Sequence, residues 1–408
     1  MDWSNQEVGG GWVFGDFTYG ENSVDGFSEK GKEKVKSNQV LYLPEAVPCE
    51  SIEKYEDLPR IVCVKKYAFK NYKLKEVHMP SGILEIQMCA FADNRITKVE
   101  LPKELEYIGI KAFENNKIFS IKFPKTLTVV EEEAFVNNRL KKLSLPDSML
   151  EVLGRVFEKN QIEELRLPKS VKSISYRAFA QNKIKAVILP ESLKSIGTQA
   201  FSYNDLKEIT IPEKTEEIWA GVFSDNKLEK VEILSPVINS FQGVFSGNAV
   251  KRVKLKCPMS ALGVVSDKGV VYSAFSGYEV TYLDLSENKD VDEETLKKIK
   301  YAFQCLEELD LAGCKNLKKI SDYTFEACRL KKVIFPDNLI EIGYGAFHRC
   351  YLEEVDLPKS VKIVREHAFT GNPIKRLNIQ GSLRRLEPKA FPETKVVESA
   401  LFKSAVEI

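Results

Sequence analysis

Histidine and tryptophan are scarce in this chain of 408 residues, which contains three of each. His78, His348 and His367 lie far apart in the sequence. No Gly-x-Ser-x-Gly, P-loop or HExxH motif accompanies them. Nothing in the sequence therefore supplies a nucleophile with a base, and we predict that the chain is not an enzyme and takes no cofactor.

Cysteine is also infrequent, and eight residues in a chain of this length are too few for a disulfide-held scaffold. The last four are separated by 9, 14 and 22 residues, whereas zinc sites typically pair their ligands as C-x₂₋₄-C. We therefore expect no bound metal. Cys328 and Cys350 are expected to form a buried pair of reduced thiols.

Neither sign of charge dominates, since the chain contains 60 Lys and Arg residues and 59 Asp and Glu residues, for a net charge of +1. This balance argues against nucleic-acid binding and against a polybasic membrane anchor. No stretch approaches the ~18 apolar residues of a membrane span, so membrane insertion is not expected. Asn-x-Ser/Thr sequons are absent, which favours a bacterial source.

Phenylalanine, in contrast, is abundant and periodic, with 23 residues in all. One phenylalanine returns every 22 residues from Phe69 to Phe245. The steps to Phe275 and Phe303 are 30 and 28 residues, and the spacing of 22 then resumes as far as Phe391. The structural spine that we predict from this period contains Phe91, Phe113, Phe135, Phe157, Phe179, Phe201 and Phe223. A fixed period of this length indicates repeats that bury their apolar faces by stacking.

Other residue types keep a fixed distance from each phenylalanine. Asparagine follows after three residues, apolar residues after five, eight and ten, and proline after eleven. The spacing of eight and ten predicts a short half-buried strand that the proline ends. The asparagines should bond backbone groups that a tight corner leaves unpaired. In the spine these asparagines are Asn94, Asn116, Asn138, Asn160, Asn182 and Asn204.

The unit AFxxNxI/LxxI/VxLPxxLxxIGxxAF, which residues 185–205 carry almost whole, resembles the BspA-like, or Treponema pallidum-type, leucine-rich repeat. The resemblance covers roughly residues 40 to 391. It implies a repeat solenoid, a right-handed superhelix with a parallel β-sheet on one face and short β or 3-10 elements on the other.

The ends and an interruption divide the chain further. Residues 1–40 are predicted as an N-terminal cap, with a β-hairpin within 11–27 and a short helix at 28–35. Regular repeats follow at 41–245, longer irregular ones at 246–302, and regular ones again at 303–391, before a cover or truncated repeat at 392–408. In the interruption, residues 266–280 suggest an extra strand or loop, and 291–303 a helix capped by Asp292. The interruption is either a join between two arrays or a bulge that contacts a ligand.

The exposed face of the strands is where binding is expected. Residues seven and nine positions after each phenylalanine alternate in sign from repeat to repeat, which predicts ion pairs across the sheet. Uncharged residues on this face, such as Phe119, Ile188 and Ile334, are candidate anchors. Trp219 replaces the glycine of other repeats and is expected in a loop opposite the strands. The candidate ligand-binding residues are His78, Phe119, Lys122, Arg166, Ile188, Trp219, Lys254 and Ile334.

Proteins with this type of repeat are mostly bacterial or protist surface proteins, and several are adhesins. The resemblance therefore implies a bacterial cell-surface protein that binds a protein or matrix macromolecule of a host or partner cell. The N-terminus has no basic region followed by an apolar segment, so a surface or secreted location supposes that a signal peptide has been removed. The alternative is an intracellular, cytoplasmic scaffold for protein–protein interaction.

Overall fold

A computed structural model describes residues 2–235, 243–256 and 279–393. The chain divides into a first unit, Met1–Leu206 with Ile218–Asn226, and a second unit, Lys207–Glu217 with Lys227–Ile408. Phe275, the strand or loop predicted at 266–280 up to residue 278, and the terminal cover from residue 394 onward lie outside the described residues.

Each unit is built from short parallel strands on two walls, as the parallel β-solenoid predicted from the repeats requires. We call the strands that follow the asparagines the front sheet and the two-residue strands that precede the phenylalanines the back sheet. Front strands of the first unit are Val40–Tyr42, Glu76–His78, Lys98–Val99, Lys142–Ser144 and Glu164–Arg166. Its back strands are Cys63–Val64, Glu85–Ile86, Tyr107–Ile108, Val129–Val130, Glu151–Val152, Ser173–Ile174 and Ser195–Ile196.

The second unit repeats this arrangement. Its front strands are Glu208–Ile211, Lys230–Ile233, Arg252–Leu255, Tyr282–Asp284, Glu308–Asp310, Lys332–Ile334, Glu354–Leu357 and Arg376–Ile379. Its back strands are Lys319–Ile320, Glu341–Ile342, Ile363–Val364 and Arg385–Leu386, while Glu217–Ile218 spans the sequence boundary between the units. Within the regular repeats, paired residues are 22 apart, as in Tyr107 with Val129 and Lys142 with Glu164.

The phenylalanine rings stack on one another inside each unit. From Phe69 to Phe223 in the first unit, neighbouring ring centroids are 5.2–5.9 Å apart and the ring planes differ by 9–19°. Phe325 to Phe391 stack in the same way in the second unit. These rings are buried, and their contacts hold each 22-residue turn, or rung, to the next.

The asparagines form a second ladder beside the rings. The Nδ2 of Asn116 donates to the carbonyl of Phe91 in the previous rung (2.9 Å) and to that of Phe113 in its own (3.2 Å). Its Oδ1 accepts a hydrogen bond from the N–H of Ile96 (2.9 Å). Each buried amide thus satisfies backbone groups of two rungs, which the corner would otherwise leave without partners.

The residues two positions before and two positions after most phenylalanines adopt left-handed backbone conformations, although few of them are glycine. Lys111 and Asn115, on either side of Phe113, have φ angles of 58° and 55°. The N–H groups of Lys111, Phe113 and Asn115 all donate to carbonyls of the following rung, at 2.9–3.1 Å. The left-handed conformation therefore turns alternate N–H groups toward the next rung and adds a third hydrogen-bonded wall.

The predicted hairpin and helices are confirmed, whereas 3-10 elements are not found on the back wall of the described repeats. Phe17–Tyr19 and Ser23–Phe27 pair antiparallel, and a shorter antiparallel pair, Glu7–Gly9 with Trp12–Val13, precedes them. The α-helices are Glu29–Lys34 and Glu293–Ala302, and Asp292 caps the second by accepting the N–H of Thr295 (2.8 Å). The 3-10 helices Phe14–Asp16 and Tyr55–Asp57 belong to the N-terminal region. In the described 22-residue repeats, short strands form the back wall without 3-10 helices.

Candidate functional site

The outward side chains of the front sheet form the ion pairs that their alternating signs predict. In the first unit Lys142 pairs with Glu164 of the next rung (2.8 Å), while Lys98 pairs with Glu100 of its own rung (3.2 Å). In the second unit Lys254 pairs with Glu232 (3.3 Å) and with Glu287. These charges lie at the surface, where each pair contributes roughly 0–1 kcal/mol. They make most of the face polar and electrically balanced.

Most candidate residues lie on this front face. His78 stacks on Tyr42, with ring centroids 4.1 Å apart, and its Nε2 lies 3.2 Å from a carboxylate oxygen of Glu76. Phe119 is 52% exposed and Ile188 is 88% exposed, so both present apolar surface to solvent. In the second unit, Ile334 is 40% exposed.

Trp219 lies elsewhere in the first unit. It directly follows the back strand Glu217–Ile218, and its N–H donates to the carbonyl of Ile196 (3.0 Å). Its side chain is exposed, on the wall opposite the front strands, where the sequence placed it. The structure therefore does not bring Trp219 together with Phe119 and Lys122.

The front sheet of the first unit is interrupted between Lys98–Val99 and Lys142–Ser144. The segment Phe119–Phe123, which we call the sheet gap, occupies the rung between them and forms no strand. Lys141 donates its N–H to the carbonyl of Phe119 (3.3 Å). Beyond that bond, the backbone of Ser120–Phe123 makes no hydrogen bond within the described part of the chain. In the back sheet Glu85–Ile86, Tyr107–Ile108 and Val129–Val130 pair without a break, and the back sheet is interrupted one step later, between Val129–Val130 and Glu151–Val152.

Phe123 provides a physical reason for the interruption. It stands ten residues after Phe113, where the neighbouring rungs have Leu101 and Leu145. Its ring is buried and packs edge-to-face on two rings of the stack, Phe135 at 5.6 Å and Phe157 at 6.1 Å. A ring where leucine fits overfills the interior and shifts the backbone that carries it.

In the second unit, too, a phenylalanine ten residues after the spine lies beside an interruption of the front sheet. Phe335 stands at the equivalent position and packs edge-to-face on Phe347 at 5.7 Å. There the front sheet is interrupted between Lys332–Ile334 and Glu354–Leu357. Phenylalanine ten residues after the spine thus accompanies these two interruptions, and a reading of the pattern as merely apolar overlooks it. The front sheet also ends after Glu164–Arg166, where the next rung carries Leu189 at this position, so an extra ring is not the sole cause of such breaks.

Two shallow depressions flank the sheet gap, with volumes of about 550 and 680 Å³. The first is lined by residues of the rungs at 97–103 and 119–124, and the second by residues between 120 and 186. Ser120 and Ile121 belong to both. Ile121 and Leu165 are only half-buried, so the second depression has apolar surface beneath its polar rim.

The linings also contain cations without counterions. Lys185 pairs with Glu163 (2.8 Å), as Lys98 and Lys142 pair with their glutamates. Lys103, Lys122 and Arg166 have no ion-pair partner among the residues that the structure describes. The surface around the gap therefore carries an excess of positive charge that the chain does not neutralise.

The cysteines lie mainly inside the repeats. Cys350 occupies an asparagine position, and its thiol donates to the carbonyl of Phe325 (3.0 Å), as the asparagine Nδ2 does elsewhere. Burial raises the pKa of the Cys350 thiol to about 12 and also raises the pKa of Cys328. Both are free thiols, held in the unreactive protonated form at neutral pH. The expectation of a buried pair is only partly met, because Cys350 is buried but Cys328 is half-buried.

Within residues 2–235, 243–256 and 279–393, no three His, Cys, Asp or Glu side chains come together as a metal site would require. None of the helices in that part of the chain has the length and apolarity needed to cross a membrane.

Comparison with known proteins places these features in context. The family model described as BspA type leucine-rich repeat region (6 copies) matches residues 48–161, 151–264 and 294–408. None of the curated proteins matches the chain in sequence.

Two solved structures are similar to this chain at low sequence identity. A leucine-rich repeat protein from Bacteroides ovatus is 23% identical over 84% of this chain and 92% of its own, with a TM-score of 0.49. A leucine-rich cell surface protein from Faecalibacterium prausnitzii is 18% identical over 91% of this chain and 94% of its own, with a TM-score of 0.41.

Proposed function

Because the chain belongs to the BspA-type leucine-rich repeat family, we propose that it is a bacterial cell-surface protein that binds a macromolecule of a host or partner cell. Leucine-rich repeat proteins are typically non-enzymatic scaffolds for protein interaction. The partner in this proposal is a protein or a matrix component, bound by the front face of the repeats.

The observation that carries the proposal is the character of the front face in the first unit. Two exposed apolar side chains, Phe119 and Ile188, stand on a surface that is otherwise polar and ion-paired. Large apolar residues within a polar rim supply most of the binding energy in protein interfaces. The stacked rungs on either side hold such anchors in place, which limits the entropy lost on binding.

Retention on immobilised plasma and matrix proteins tests the binding function. Phe119→Ala and Ile188→Ala should each weaken retention about tenfold or more, as expected when an anchor residue is truncated. Tyr203→Ala is the matched control, because Tyr203 is as exposed as Phe119 (52%) but lies two residues after Phe201, in the corner beside the phenylalanine stack, and not on the front face. Equal retention of all three variants and the parent would show that the front face is not the binding surface.

Fractionation of the native organism tests the location. We expect the protein in the cell envelope or the medium, accessible to protease added to intact cells. Recovery from the cytosol alone would contradict the surface assignment and favour the intracellular scaffold.

A further inference from the structure

We propose that the sheet gap at Phe119–Phe123 binds an acidic, extended polypeptide segment of the partner. This inference rests on the proposed function and specifies which part of the front face makes the contact and which partner chemistry it selects.

The backbone of the gap supplies the first argument. Ser120, Ile121 and Lys122 present N–H and C=O groups that form no hydrogen bond with either neighbouring rung in the described structure. Ser120 and Lys122 are exposed and Ile121 is half-buried, so a ligand can reach this backbone. An extended polypeptide carries the same alternation of donors and acceptors and pairs with unpaired strand segments in this way.

The ends of the gap limit how the segment can bind. Lys117 N–H bonds the carbonyl of Ile96 at 2.9 Å on one side of the gap, and Thr126 Oγ1 bonds the carbonyl of Leu105 at 2.8 Å on the other. The two rungs are therefore tied together at both ends of the gap. A bound segment lies over the gap, and does not insert as a full strand between the rungs.

Charge supplies the second argument and selects the sign of the ligand. Lys122 and Arg166, the unpaired cations of the outward row, stand two rungs apart, on the order of 10 Å. Both stand in one column that runs across the strands, so their long side chains can reach acidic groups of a single extended segment that lies along the gap. Complementary charge of this kind raises the association rate and disfavours basic partners.

The apolar surface supplies the third argument. Phe119, at one end of the gap, is half exposed, and Ile121 and Leu165 leave apolar surface uncovered in the depression beside it. Apolar side chains that alternate with the acidic ones would cover this surface. The preferred segment is therefore acidic at every second residue and aliphatic between.

A nucleic acid would also be attracted by free cations, but the same surface opposes it. Glu100, Glu163 and Glu164 line the depressions and would lie close to bound phosphates. A sugar–phosphate backbone, which carries mainly acceptors, could not satisfy the unpaired carbonyls of the gap. A peptide backbone can bond both the unpaired N–H groups and the unpaired C=O groups of the gap.

Fluorescence anisotropy of the full chain with a labelled ELELELE heptapeptide tests the inference. We expect saturable binding at physiological ionic strength, and about tenfold weaker binding of a KLKLKLK peptide and of ELELELE with N-methylated leucines. Lys122→Glu and Arg166→Glu should each weaken ELELELE binding about tenfold. Lys172→Glu, an equal change of charge beside the back strand Ser173–Ile174, should leave it unchanged.

Four results would overturn the inference: no binding of ELELELE, equal binding of the N-methylated peptide, equal loss with Lys172→Glu, or tighter binding of oligothymidine than of ELELELE. Thermal melting of each variant confirms that these exposed substitutions leave the fold intact. If ELELELE does not bind while Phe119→Ala still weakens retention of a matrix or plasma protein, the inference fails and the proposed function stands. If ELELELE binds through Lys122 while no immobilised protein is retained, the site stands and its assignment to host proteins fails.

Discussion

The ring of Phe123 packs edge-to-face on the ring of Phe135, with 5.6 Å between centroids and 75° between planes. Phe335 and Phe347 repeat this geometry in the second unit, at 5.7 Å and 84°. In both places the front sheet is interrupted beside the extra ring. We therefore attribute the free backbone groups of Ser120–Phe123 to the ring buried beneath them.

Replacing the extra ring should close the gap. Phe123→Leu restores the residue of neighbouring rungs. We expect the amides of Ser120, Ile121 and Lys122 to exchange hydrogen at no more than about one tenth of their rate in the parent. Hydrogen exchange followed by mass spectrometry or NMR measures this directly. Phe335→Leu is the control, since it should slow exchange only near the second interruption. Unchanged exchange at Ser120–Lys122 would show that Phe123 does not cause the gap.

The asparagine ladder predicts a stabilising substitution at a cysteine. The thiol of Cys350 replaces the donor of asparagine, but the N–H of Leu330, which asparagine would accept, has no partner among the described residues. Cys350→Asn should therefore raise the free energy of unfolding by about 1 kcal/mol. In the next rung, Asn372 accepts the N–H of Leu352 (3.0 Å), so Asn372→Cys should lower it by a similar amount. Chemical denaturation measures both changes, and a shift of the same sign in the two variants would contradict the ladder.

At residues with a left-handed backbone, substitution by glycine should stabilise the protein, whereas elsewhere it should destabilise it. Lys159 is exposed and has a φ of 55°, which glycine adopts without strain and β-branched residues adopt poorly. Lys159→Gly should raise the free energy of unfolding by about 0.5 kcal/mol, and Lys159→Val should lower it by about 1–2 kcal/mol. At Lys172, where φ is not positive, Gly should instead destabilise by roughly 0.5–1 kcal/mol. The same ranking at both positions in thermal or urea unfolding would contradict the assigned conformation.

Glu158 predicts how stability in the first unit depends on pH. Burial disfavours its charge, but hydrogen bonds from Arg177 (2.6 Å) and Arg155 (2.6 Å) outweigh burial and lower the pKa of Glu158. A lowered folded-state pKa stabilises the fold above the unfolded value of about 4.3, and this contribution is lost as the pH falls through the folded value.

Glu158→Gln should accordingly destabilise the protein by about 2 kcal/mol at neutral pH and by less in acid, because it removes charge-assisted hydrogen bonds. Unfolding free energies across the acid range measure the difference. Glu151→Gln, an exposed carboxylate without an ion pair in the described structure, is the control and should change stability little. A loss that does not shrink with falling pH would argue against ionised Glu158 as the stabilising group.

The period of the sequence predicts the stacked repeats because each rung repeats the same buried contacts. Phe179 and Asn182 recur at fixed spacing, and their roles follow from size and hydrogen-bonding capacity. The left-handed corners could not be predicted in this way, because Lys111, Glu133 and Arg155 occupy them in place of glycine. Their conformation is imposed by hydrogen bonds to the next rung, which outweigh the local preference of the residue.

The sheet gap was also missed from the sequence, for a different reason. Phe123 satisfies an apolar pattern, and the pattern does not report that the ring is too large for its place. Phe119 and Ile188 were predicted as exposed because they stand at outward positions of the period. Lys122 and Arg166 were identified by position, but the lack of nearby counterions became visible only when the side chains of neighbouring rungs were placed.

Hydrogen exchange with and without a bound matrix or plasma protein, retained in the panel assay, tests the central claim most directly. Binding by the front face of the first unit predicts slower exchange in segments that contain Lys98–Leu101, Phe119–Phe123 and Lys142–Ser144. The back strands Tyr107–Ile108, Val129–Val130 and Glu151–Val152 should exchange as in the free protein. Protection confined to the back strands, or absent from Phe119–Phe123, would contradict the account.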